Sequence, residues 1–162
     1  YKSLVKGDIL YSSLGTTIKQ AGSKEAQYKV DFQYQYDFAK AASDNMVKNY
    51  CLVSSTSASS KSRIFYSRIK GELEDAVQKL DFDKIDIIRP SLLLGERADV
   101  RAGEKIGEKV LKISVKILPF LKKYRGIKGE EVAMAMLNAF KSKNSSKTNI
   151  YELEEVFTLA GE

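Results

Sequence analysis

Histidine is missing from all 162 residues, which removes Ser-His-Asp and Cys-His catalysis and the common His-based zinc sites in one step. A single cysteine, Cys51, excludes an internal disulfide. It sits in an apolar stretch, where a buried inert thiol is the reading favoured over a reactive one. No run is long enough to cross a membrane as a helix and no signal-peptide pattern is present, from which a cytoplasmic location is expected. The ten glycines contain neither Gly-x-Gly-x-x-Gly nor Gly-x-x-Gly-x-x-Gly. The usual phosphate-cradling turn of a dinucleotide fold is therefore not in this stretch.

What is present describes one ordinary globular domain, taken as 1–162: 43% hydrophobic and 30% charged residues, with no internal repeat and no interdomain linker. The net charge of +6 invites a nucleic-acid reading. It is discounted, because the basic residues are spread along helices among acidic ones and no basic and aromatic residues interleave in the manner of a single-strand-binding surface. The partner expected is a small-molecule substrate, with no nucleic acid; a protein partner or a homo-oligomer stays open.

The chain is organised around Asn49 to Glu74. An apolar strand, Tyr50 to Val53, runs into a Ser-rich turn and then a helix carrying Tyr66 and Lys70. A spacing of four is one helical turn, so both side chains leave the same face. A cation roughly 4 Å from a phenol in a partly desolvated site is worth about 4 kcal/mol, roughly a thousandfold in acidity. Such a Tyr could exchange a proton with a carbonyl or alcohol near neutral pH. Two other Tyr-x-x-x-Lys pairs occur, Tyr36/Lys40 and Tyr124/Lys128. Only Tyr66/Lys70 has a hydrophobic strand ending in Ser54-Ser55 just upstream and one ending in Arg89-Pro90 downstream.

Elsewhere the pattern alternates strands and helices. Gly7 to Gly15 reads as a strand, and Gly22-Ser23 as the start of a long helix to about Asn45 that packs Val30, Tyr34, Phe38, Ala41 and Ala42 on the sheet. The Tyr66/Lys70 helix is expected to reach about Leu80, and Ile85 to Pro90 is the next strand, stopped by Pro90. Ser57, Ser59, Ser60 and Ser62 read as a flexible turn. Glu104 to about Leu118 reads as a basic amphipathic helix that could lie on an anionic membrane, dock a partner or simply pack by its apolar stripe. A helix to about Phe140 with Val132, Met136, Leu137 and Phe140 inward follows, then a short strand, Asn149 to Leu153, and a terminal helical turn. This order implies an α/β fold: a Rossmann-type, doubly wound, mostly parallel sheet in three αβα layers. Gly15, Ser55 and Pro90 then fall at one strand edge, where ligands of such sheets bind.

Together, Leu14-Gly15-Thr16-Thr17, Ser54-Ser55, Tyr66-x-x-x-Lys70-Gly71-Glu72-Leu73-Glu74, Arg89-Pro90-Ser91-Leu92-Leu93-Leu94-Gly95-Glu96-Arg97 and Arg101-x-Gly103-Glu104 resemble, in order over nearly the whole chain, the short-chain dehydrogenase/reductase superfamily. The nearest branch in pattern is the atypical one of Tat-interacting-protein-like oxidoreductases and epimerase-like proteins. The resemblance implies an NADP or NAD cofactor, with NADP favoured by resemblance only. It also implies hydride transfer to or from a carbonyl or alcohol: Tyr66 as acid/base, Lys70 lowering its pKa and holding the nicotinamide ribose, and Ser55, or Ser54 in its place, on the substrate oxygen. Leu14, Gly15, Thr16, Tyr66, Lys70, Pro90, Leu92, Leu93 and Arg101 would lie against the cofactor; no metal is implied. By the same resemblance the fold is N-terminally incomplete, with the first βαβ units, about 60 residues, ahead of Tyr1. Asp31 stands where many members have an active-site Asn, which puts a proton relay through that position in doubt. A different class remains open, a dinucleotide-responsive regulatory or protein-interaction module with little or no turnover.

Overall fold

A computed structural model describes residues 1–94, 125–144 and 146–161. Four strands, β1 (Ile9–Ser12), β2 (Asn49–Val53), β3 (Lys84–Arg89) and β6 (Thr148–Glu152), form a sheet in the order β1-β2-β3-β6. All three pairings are parallel, with Ser12 opposite Leu52, Leu52 opposite Ile87 and Ile87 opposite Ile150. Parallel neighbours need helical crossovers. Here they are α1 (Ile18–Ala21), α2 (Lys24–Tyr28) and α3 (Gln35–Asp44) after β1, α4 (Phe65–Val77) after β2, and α5 (Gly129–Lys141) before β6. A helix α6 (Glu154–Ala160) follows β6. Strands β4 (Leu93–Leu94) and β5 (Ile127–Lys128) make a separate parallel pair that the sequence pattern had not suggested.

The period-two alternation of the strands divides the interior into two layers. Tyr50, Leu52, Ile85 and Ile87 face one side and join Ala39 and Ala42 of α3 with Leu73 and Val77 of α4. Cys51 and Ile88 face the other, with Val132, Ala135, Met136 and Ala139 of α5 and Val156 and Phe157 of α6. Helices thus cover both faces, giving the three-layer αβα arrangement read from the sequence. Each fully buried aliphatic or aromatic side chain contributes about 1.5–3 kcal/mol. Cys51 is buried and burial pushes its thiol pKa up to about 12, so it is a core residue and an unreactive one.

The segment between α2 and α3 departs from expectation. Ser23 caps α2 as read, its hydroxyl accepting from the Ala26 amide at 3.0 Å. From Lys29 to Tyr34, however, the backbone takes a π-helical turn. This rotates the chain, and the inward residues are Gln27, Asp31, Gln35, Ala39 and Ala42, while Tyr34 and Phe38 are 43% and 47% exposed. Expecting those two rings on the sheet is therefore wrong, because an ordinary helical period was carried through a wider turn. The Gln35 side-chain amide donates to the Asp31 carbonyl at 2.8 Å, supplying a partner where the helical ladder is disturbed. In α5, likewise, Leu137 is exposed and Ala135 and Ala139 take the inward positions. Helix α4 ends at Val77 rather than near Leu80, and Leu80 packs on the core from the turn beyond. The positions Gly95, Glu96, Arg97 and Arg101 and the expected basic helix from Glu104 lie outside the described residues.

Candidate functional site

Because β1, β2 and β3 are parallel and in register, their C-terminal ends open on one edge of the sheet. Ser54, Ser55 and Pro90 follow the ends of β2 and β3 directly, and Gly15 lies three residues beyond β1. Beyond the last ladder residues the chains stay joined, since Ser54 N–H donates to the Ile88 carbonyl at 2.7 Å and Thr56 N–H to the Pro90 carbonyl at 3.4 Å.

The Ser-rich stretch is a packed loop, not the loose turn expected. Ser59 N–H donates to the Ser67 carbonyl at 3.0 Å, Ser67 Oγ donates to Ser57 Oγ at 3.0 Å, and Ala58 is buried. Gly71 makes the approach possible. A β-carbon there would stand 2.2 Å from Ser59 C and Ser60 N, so the loop backbone rests directly on α4 one residue after Lys70. Of the two serines, Ser55 Oγ is engaged with Ser57 Oγ at 3.2 Å. Ser54 is buried, and its hydroxyl has no hydrogen-bond partner among the described residues. A buried hydroxyl of that kind costs free energy unless something pairs with it.

Tyr66 and Lys70 both belong to α4, but their environments differ. Tyr66, in its first turn, is 41% exposed, whereas Lys70 is 4% exposed. Burial lowers the Lys70 pKa, opposed by the charge of Asp31 and then that of Glu74. Glu74 is already committed. It takes a bidentate pair from Arg89, Nε to Oε1 at 3.0 Å and Nη2 to Oε2 at 2.6 Å, and Arg89 Nη1 donates to Glu152 at 2.8 Å. This clamp ties α4 to the ends of β3 and β6 just beneath the edge.

The loop leaving β1 lies on a polar bed. Asp31 Oδ1 accepts from Thr16 N–H at 2.6 Å, and Gln27 Nε2 donates both to Asp31 Oδ2 at 3.0 Å and to the Thr16 carbonyl at 3.1 Å. Ser12 Oγ donates to Gln35 at 2.8 Å. A β-carbon on Gly15 would stand 3.5 Å from Asp31 Oδ1 and 4.0 Å from Lys70 Nζ. The Leu14-Gly15-Thr16 turn and Lys70 are therefore adjacent. Leu92 and Leu93 are 39% and 38% exposed beyond β3, with the Leu92 carbonyl accepting from Ile127 N–H at 2.9 Å. Pro90 is buried.

Sequence reasoning missed Gln27 and Gln35, named Glu74 and Arg89 only within quoted runs without seeing that they pair, and gave Asp31 only a doubtful place in this edge. Gln27, Asp31 and Gln35 do recur at steps of four, but a polar stripe of that kind ordinarily marks a solvent-facing side of a helix, so the single sequence carried no signal for their burial.

Comparison with known proteins follows from this geometry. The structure superposes on the dTDP-4-dehydrorhamnose reductase of Bacillus anthracis in complex with NADP with a TM-score of 0.59 and 14% identity, over 95% of this chain and 62% of that one. It superposes on the UDP-glucose 4-epimerase of Thermotoga maritima with UDP-glucose at 0.58 and 12% identity, over 94% and 60%. The class is thus a Rossmann-type fold shared with nucleotide-sugar epimerases and reductases. No protein-family model matches the chain. Among curated proteins, the mitochondrial protein FMP52 of Meyerozyma guilliermondii is 51% identical over 90 residues, 56% of this chain and 39% of that protein. That of Eremothecium gossypii is 34% identical over 161 residues, 94% of this chain and 69% of that protein.

The chain belongs to the FMP52 family. The match spans about two-fifths of the length of the Meyerozyma relative. These relatives do not single out the Tat-interacting-protein-like branch. They also overturn the cytoplasmic expectation, since each is named as a mitochondrial protein. Among the described residues no helix is long and apolar enough to cross a membrane.

Proposed function

We propose that this protein is a nicotinamide-dinucleotide-dependent oxidoreductase, acting in the mitochondrion as its relatives' names suggest, on a small carbonyl or alcohol substrate. The observation that carries the reading is a nearly buried ammonium, Lys70, at the C-terminal edge of a parallel sheet, one helical turn from the exposed phenol of Tyr66 and beside the open backbone of Gly15. A lysine is rarely buried without a reason, and here no hydrogen bond from the chain's described residues occupies its protons. A hydroxyl-rich ligand such as a nicotinamide ribose suits such a donor, and Gly15 leaves room for it. The Leu14–Thr16 turn, Pro90, Leu92 and Leu93 supply a largely apolar wall, with Arg101 a further candidate contact; NADP and NAD are both compatible.

When bound, the dinucleotide supplies or accepts the hydride. Tyr66 gives a proton to, or takes it from, the substrate oxygen, and the Lys70 charge favours the ionised phenol. Ser54 and Ser55 are the two candidates to hold that oxygen. Ser54 has a hydroxyl with no hydrogen-bond partner among the described residues, and Ser55 the more open position.

The test is binding of NADH and NADPH to the full-length protein, followed by nicotinamide fluorescence. Micromolar binding that is weakened at least tenfold in Lys70→Met is expected. No binding of either dinucleotide, or equal binding by the variant, would remove the proposal.

A further inference from the structure

We propose that Asp31 is a positioning residue of this site: its buried carboxylate fixes the Gly15–Thr16 turn by direct hydrogen bonding and serves as the counter-charge of Lys70 without occupying that lysine's N–H donors. The inference rests on the oxidoreductase reading for its functional meaning, but its structural content stands apart from it.

Four ionisable side chains lie close together beneath the edge: Lys70 and Arg89, Asp31 and Glu74. Arg89 and Glu74 close one pair through two hydrogen bonds, and the more exposed Glu152 adds to it from β6. That leaves Lys70 and Asp31 as the remaining opposite charges. Asp31 is fully buried. A carboxylate in that position requires donors, and it has them: the Thr16 amide on Oδ1 and the Gln27 amide on Oδ2. No direct ion pair joins it to Lys70 among the described residues.

The consequence is a division of labour. An Asp in contact with Lys70 would neutralise it but would also claim the protons that a ligand needs. An Asn could keep its oxygen on the Thr16 amide, though its Nδ2 would then face the Gln27 donor, and it would leave the lysine facing only Glu74, whose charge is already answered by Arg89. Asp31 meets both requirements at once, holding the turn by contact and the ammonium through space. The π-helical turn explains how the carboxylate reaches that place. It brings Asp31 onto the inward face between Gln27 and Gln35, and the Gln35 side chain donates to the Asp31 carbonyl.

The charges that act on Lys70 are Asp31 from the π-helical turn and Glu74 from its own helix, the latter already paired with Arg89 of β3. Of these, Asp31 alone can be altered without breaking the clamp.

The test compares wild type, Asp31→Asn and Asp31→Ala in the full-length protein by two NMR readouts that need neither cofactor nor turnover. The first is the Lys70 side-chain 15N resonance in lysine-labelled protein, assigned by its loss in Lys70→Met and followed against pH. Its midpoint should fall in both Asp31 variants. The second is hydrogen exchange at the Thr16 amide, whose protection should drop at least tenfold in Asp31→Ala and stay within about threefold in Asp31→Asn. An unchanged Lys70 midpoint in Asp31→Asn would overturn the counter-charge role, and unchanged Thr16 protection in Asp31→Ala would overturn the hydrogen-bonding role. Should Asp31→Ala not fold, the isosteric Asn variant decides through the Lys70 midpoint. A parallel titration with NADPH separates the two proposals. If wild type binds no dinucleotide while both NMR effects appear, the oxidoreductase reading fails and the positioning role stands.

Discussion

Replacing Gly71 by Ala is the most informative small change. In the interior of an exposed helix, Gly→Ala is worth about 1 kcal/mol of added stability, because alanine loses less backbone freedom on folding. At this position the sign should reverse. The new methyl would lie 2.2 Å from Ser59 C, 2.2 Å from Ser60 N and 2.6 Å from Ser59 Cα, where ordinary contact begins near 3.4 Å. All three neighbours are backbone, so no rotamer change relieves the clash and the loop must retreat by more than an ångström. Overpacking of this kind typically costs about 1–3 kcal/mol. Retreat would also stretch the Ser59 N–H to Ser67 carbonyl bond and the Ser57–Ser67 hydroxyl bond, each worth about 1 kcal/mol. Urea denaturation of Gly71→Ala should therefore show a loss of about 1–3 kcal/mol. Because Ser55 belongs to the displaced loop, turnover should fall along with stability. An unchanged or raised urea midpoint would refute the close packing of the serine loop on α4.

Two further perturbations address the charges under the edge. Arg89→Met leaves Glu74 buried with its bidentate partner gone, and removal of one member of a buried pair costs about 3–5 kcal/mol, readable as a lowered denaturation midpoint; Glu152→Gln, at the more exposed end of the clamp, should cost far less. Lys70 sets a pH dependence. Its folded pKa lies below the ordinary lysine value of 10.5, so between the two the unfolded chain binds more protons and stability rises with pH across that window. The stability of wild type minus that of Lys70→Met, measured by denaturation at several alkaline pH values, should accordingly rise as pH increases; a difference that falls would contradict the buried ammonium.

The sheet was legible because its strands are short apolar runs with turn signals on either side, and buried parallel strands have little other way to be written. The strands Asn49–Val53 and Lys84–Arg89 fall within a residue of those read from the pattern, Tyr50 to Val53 and Ile85 to Pro90. The long helix after β1 was less so. Its inward stripe is partly polar, and a period of 3.6 carried past Lys29 puts Tyr34 and Phe38 where Asp31 and Gln35 lie. A π-helical turn leaves no simple mark in a single sequence. The Tyr66/Lys70 pair could be singled out by its flanking strands, but the contrast between an open phenol and a buried ammonium depends on α4 packing against α3 and the serine loop, which no local pattern encodes. The same holds for Gly71, whose role is visible only once the loop backbone is seen against it.

The central claim is that the phenol of Tyr66 carries the proton in a hydride-transfer reaction. Steady-state reduction of a panel of aldehydes and ketones by the full-length protein, compared between wild type and Tyr66→Phe at saturating dinucleotide, tests it most directly. Loss of general acid/base catalysis should lower kcat by about 10²–10⁴-fold while dinucleotide affinity stays within a few-fold. A Tyr66→Phe protein that turns over as fast as the parent would contradict the account.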